Sequence, residues 1–139
     1  MRGISFWFFM TAIVYVTLGM IWGIVMAATG DHRLAAAHAH LNLVGWVTLA
    51  LFGIYYHLVP AAGEHLLAKV HFAVATAGVV LIVPGIAMAL TGAGELLAKV
   101  GSVLTLASML LFAVVVFRSR KTANTPEGRT VEQGLVQSA

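Results

Sequence analysis

The chain has 139 residues, of which 60% are hydrophobic and 9% charged, with a net charge of +3 and no cysteine. A soluble domain carries about 25% charged residues, so this composition belongs to a membrane protein. The missing cysteines exclude disulfides, thiolate metal sites and covalent c-type haem attachment, and the basic residues sit at helix ends and in the last segment, which explains the pI near 9.7 without nucleic acid.

Four apolar runs follow in chain order, at residues 4–28, 36–59, 68–90 and 97–117. Each reaches the ~20 residues needed to cross a bilayer core. The first is about twice as long as a signal-peptide core, so a retained span is expected. Its Gly19 and Gly23 form a small-xxx-small pair that permits close helix contact, as do Ala73 and Ala77 in the third run. Trp7, Trp22 and the pair Tyr55–Tyr56 fall near the expected interfaces, as belt aromatics do. Pro84 is expected to kink the third run. His57, His65 and His71, near Pro60, are expected to be mostly solvated.

The connections are too short for an extramembrane domain. The sequence therefore predicts an all-α, integral membrane four-helix bundle over residues 1–117, followed by a polar, flexible cytoplasmic tail at 118–139. Arg2, Lys69, Arg118, Arg120, Lys121 and Arg129 share one side of a four-span topology. The positive-inside tendency places both termini in the cytoplasm of a bacterial-type inner membrane.

The stretch "AAHAHLNLVGW" at 36–46 places His38 and His40 at the start of the second span. Ionisable residues in a membrane are expensive and mark functional sites. Two positions apart on a helix is ~200°, so the imidazoles leave on nearly opposite faces and do not readily share one metal ion. Traced at 100° per residue, the His38 stripe continues through Asn42, Gly45, Leu49 and Tyr56. Gly45 leaves space for a flat macrocycle, and Asn42 offers a supporting hydrogen bond. Neutral imidazole is a good axial ligand for haem iron. Arg33, on the outer loop, is a candidate partner for acidic groups such as haem propionates. No paired carboxylates, phosphate loop or nucleophile arrangement is present.

An ordered set of residues extends this reading. "HAHLNLVGWVTLALFGIYYHLVPAAGEHLLAKVHFAVATAGVVLIVPG", residues 38 to 85, resembles part of the catalytic subunit of haem-copper oxidases and nitric oxide reductases. In that family a His-x-His pair opens the tenth span, which continues through a Gly and aromatic-rich segment to a Pro. The eleventh span opens with a basic residue, an aliphatic residue and His-Phe. The counterparts are His38 and His40, Gly53, Tyr55–Tyr56, Pro60, Lys69–Val70 and His71–Phe72. The resemblance implies that His38 and His40 are axial haem ligands on opposite faces, toward the outer side of the membrane. The family's copper-ligating histidines and crosslinked tyrosine have no counterpart, and eight of its twelve spans are missing. A complete oxygen or nitric oxide reductase is therefore not expected.

The family's twelve spans form three arcs of four, so a C3 homotrimer of this chain would rebuild that outline. Each interface would then bring His38 of one chain toward His40 of its neighbour. The expected protein is a haem b-binding, lipid-embedded trimer that transfers electrons to a redox partner or senses redox state or gas. The alternatives are a copper-binding membrane protein and a cofactor-free assembly or structural subunit.

Overall fold

A computed structural model describes the backbone of residues 1–122 and side chains through Arg120. Four long helices make up the fold: α1 (Ile4–Thr29), α2 (Ala35–Leu58), α3 (Leu66–Leu90) and α4 (Leu96–Thr122). Each holds a stretch long and apolar enough to cross a membrane. A helix suits that environment because it satisfies its backbone hydrogen bonds within one segment. The four expected spans are present, but α4 continues past Phe117 to Thr122. The segment expected to be a flexible tail thus begins as helix, with Arg118 and Arg120 favourably placed near the negative end of the α4 dipole. The rest of 118–139 lies outside the described residues.

The connections are built from local signals. Gly30 closes α1 in the left-handed conformation (φ 67°), which only glycine adopts without strain. Between α2 and α3, Pro60 opens a single helical turn, Pro60–Gly63, the position where its missing N–H costs nothing. Pro84 lies within α3, which continues through it.

Helices pack on their chain neighbours, while α1 and α4 barely meet, leaving one side of the bundle open. The α3–α4 seam is the tightest. A Cβ on Gly85 would collide with the backbone of Ala98, and one on Gly101 would strike the backbone of Ile82. Gly78 lies against Thr105 in the same seam. The expected Ala73–Ala77 contact is not made: both residues are exposed. The buried stripe of α3 is Ala68, His71, Ala75, Gly78, Val79, Ile82 and Gly85, which follows the 3.6-residue period on a different face.

The second span departs from α geometry. Leu41–Thr48 is a π-helix of 8 residues, and the Thr48 hydroxyl bonds the Leu43 carbonyl five residues back at 2.9 Å. The buried face follows this winding. Buried positions along α2 recur every four residues at Ala37, Leu41, Gly45, Leu49 and Gly53. At 100° per residue those four steps would drift about 160° around an α-helix. The wider π turns keep the small and aliphatic stripe in the core, and such segments are frequent at functional sites.

Candidate cofactor site

His38 and Asn42 sit on the side of α2 that meets α1. The Asn42 amide donates to the His38 carbonyl at 2.9 Å. Its nitrogen also lies 3.3 Å and 3.5 Å from Nε2 and Nδ1 of the His38 ring. Being nearly equidistant from both, it gives neither a good in-plane hydrogen bond. The α1 glycines make this arrangement possible. A Cβ on Gly19 would fall 2.5 Å from Asn42 Oδ1, and one on Gly23 would fall 3.3 Å from His38 Cε1 and 3.7 Å from Nε2. Trp22 meets the His38 ring edge to face, with centroids 5.9 Å apart. Gly19 and Gly23 thus accommodate polar side chains, rather than the bare helix contact expected of the pair.

His40 is held differently. Its Nδ1 lies 2.8 Å from the Ala36 carbonyl. A carbonyl only accepts, so Nδ1 carries the proton and Nε2 keeps its lone pair. Among the described residues nothing bonds Nε2. A ring fixed through one nitrogen with the other left basic is the state in which histidine ligates metals.

Gly45 does not offer the open cradle that a macrocycle would need. Tyr15 of α1 covers it, and a Cβ there would lie 3.1 Å from the Tyr15 ring. The residue is an α1–α2 packing site. Gly23 faces the His38 ring, where a Cβ would lie 3.7 Å from Nε2, and the ring itself is half-buried. Of the pair, His40 fits an axial ligand as it stands.

Arg33 stands apart from both histidines in its contacts. Its Nη2 donates to Asp31 Oδ2 at 2.7 Å and its Nε to Oδ1 at 3.0 Å. The side chain is 85% exposed. These hydrogen bonds hold the Asp31 carboxyl at about 2, well below its ordinary value. The guanidinium proposed for propionates is therefore engaged locally, in an exposed pair of the kind that contributes little to stability.

The most enclosed imidazole belongs to a residue expected to be solvated. His57 and His65 are exposed, but His71 is 0% exposed. Its Nδ1 lies 2.9 Å from the Tyr56 hydroxyl, and its Nε2 is buried without a hydrogen-bond partner. Phe52, Phe8 and Phe112 surround the ring at centroid distances of 4.5, 5.1 and 5.7 Å. Tyr56, expected in an interfacial belt, is 2% exposed. The signal for both was phase: His71 falls on the buried stripe of α3 between Ala68 and Ala75, and Tyr56 ends that of α2.

Among the described residues, no group of three or more His, Asp or Glu side chains is placed to hold a metal ion. The described residues of one chain thus form no metal site with several protein ligands, whereas haem needs only one or two axial imidazoles. No family model, curated protein or solved structure matches the chain, so the likeness to haem-copper oxidases rests on the ordered residues of 38–85 alone.

Proposed function

We propose that the protein binds haem b in the membrane through His40 and His38, and serves electron transfer or redox or gas sensing. The observation that carries this reading is the His40 ring: its Nδ1 is anchored to the Ala36 carbonyl, which leaves Nε2 as a ligand. Asn42 and Gly19 act as positioning residues for His38. When bound, the haem supplies a one-electron couple, and the imidazoles tune it through their basicity and orientation. The open side between α1 and α4 supports a C3 trimer of four-helix arcs, in which a neighbouring chain completes the coordination that one chain does not. The proposed setting is a bacterial-type inner membrane with both termini cytoplasmic.

The test is the absorption spectrum of protein purified from haem-replete cells, oxidised and dithionite-reduced, with and without CO. A Soret band lost in His40→Ala is expected, with a shifted band in His38→Ala and Asn42→Ala. A colourless wild-type protein overturns the haem reading, and metal analysis of that same sample then decides copper. Native mass spectrometry in mild detergent showing only monomers or dimers overturns the trimer.

A further inference from the structure

The end of the bundle remote from the histidine pair has a half-open cavity of about 580 Å³. It lies between the end of α2, the Pro60–Gly63 turn, the start of α3 and the end of α4, and its walls differ in kind. Val59, Leu66, Leu67 and Val115 make an apolar wall, while His65, Arg118 and Ser119 are polar. The Ser119 hydroxyl is committed to the Val115 carbonyl at 2.8 Å, which leaves Arg118 and His65 to meet a ligand.

The charge around the cavity points to the ligand's sign. At the histidine-pair end, acids and bases neutralise one another: Asp31 pairs with Arg33 at 2.7 Å and Glu95 with Lys99 at 2.9 Å. At the cavity end, Arg2, Lys69, Arg118 and Arg120 face only Glu64 among the described residues. The cavity lies where spanning helices end, at the depth of lipid headgroups. Basic pockets between helices at that depth suit anionic lipid headgroups. A small soluble anion would use the arginine but have no use for the apolar wall.

We propose that this cavity binds an anionic phospholipid, with its phosphate on Arg118 and His65 and the start of an acyl chain along Val59, Leu66 and Val115. The proposal does not depend on haem. The test is native mass spectrometry of the full chain in mild detergent with added phosphatidylglycerol or phosphatidylcholine. Phosphatidylglycerol should be retained preferentially, and Arg118→Gln should weaken its binding about fivefold, the contribution of one basic residue at an anionic membrane surface. Arg120→Gln, at the same end but outside the cavity, should leave retention unchanged, and circular dichroism should show both variants folded.

An equal loss in Arg120→Gln overturns the proposal in favour of diffuse surface charge. No loss in Arg118→Gln overturns it outright. Full competition by inorganic phosphate would make this a simple anion site. Binding that appears only when Glu127 and Glu132 are changed to Gln would make the cavity a seat for the chain's own final segment.

Discussion

His71 and the His38–His40 pair lie at opposite ends of the bundle and are held in opposite ways. His71 is sealed among aromatic rings contributed by α1, α2 and α4, with one nitrogen bonded and the other unpaired. His38 and His40 are only half-buried, and the atoms that orient them belong mainly to their own helix. An enclosed imidazole contributes to a rigid core; a half-open one with a free nitrogen remains able to meet a ligand. The unpaired Nε2 of His71 costs about 1–3 kcal/mol, offset in part by an edge-on contact with Phe52 at 4.5 Å.

The comparison is broken most forcefully at the sealed end. Phe52→Ala should lower stability by about 3–5 kcal/mol, by removing buried contacts and leaving a cavity. Unfolding in detergent measures it, and a much smaller loss would show that the aromatic end does not hold the helices together. His71→Leu nearly keeps the volume but strands the Tyr56 hydroxyl, for an expected loss of about 1–3 kcal/mol. Adding Tyr56→Phe should recover most of that, because removing both partners of a buried hydrogen bond costs less than removing one. Failure of the double variant to recover would mean that the pair contributes packing only.

Changes at the half-open end should be gentler. Gly19→Ala forces the Asn42 amide off His38 and should cost about 1 kcal/mol, near the lower bound for overpacking. The His38 ring nitrogens, followed by nitrogen NMR, should shift while those of His71 stay fixed. The smallest effect belongs to the loop. The Asp31 carboxyl is depressed to about 2 from its ordinary 3.8. Its interaction with Arg33 is therefore complete above pH 3.8 and is lost as pH falls through about 2. Arg33→Gln should return the carboxyl to its ordinary range in an NMR titration, with global stability unchanged, as for an exposed ion pair.

Much of this architecture was legible in the sequence. Twenty-residue apolar runs leave the backbone little choice in a membrane, so the four spans are recovered with only their ends displaced. The direction in which each helix faces was harder to read. Tracing α2 at a uniform 100° put Gly45 and Leu49 on the His38 stripe, whereas the π segment moves them onto the core face with Ala37 and Leu41. The sequence carries no clue to this, because Ala39, Leu43, Val47 and Leu51 keep the same spacing of four on the exposed face. Treating His71 by its distance from Pro60, rather than by its place in the Ala75–Ile82 stripe, hid the most buried imidazole. Arg33 could not be assigned from sequence type alone, since Asp31 two residues away competes for the same guanidinium.

The eight residues from Leu41 to Thr48 give α2 a phase offset between its ends. Above them the helix is clocked to set His38 on α1; below them it is clocked to set Tyr56 on His71. One ordinary α-helical residue corresponds to about 100° of rotation. Deleting a single residue in this stretch would let it rewind as α-helix, and the two ends could not both keep their present neighbours. The span works as two helices joined on one axis, and the join is what lets a half-open histidine pair and a sealed aromatic core share it.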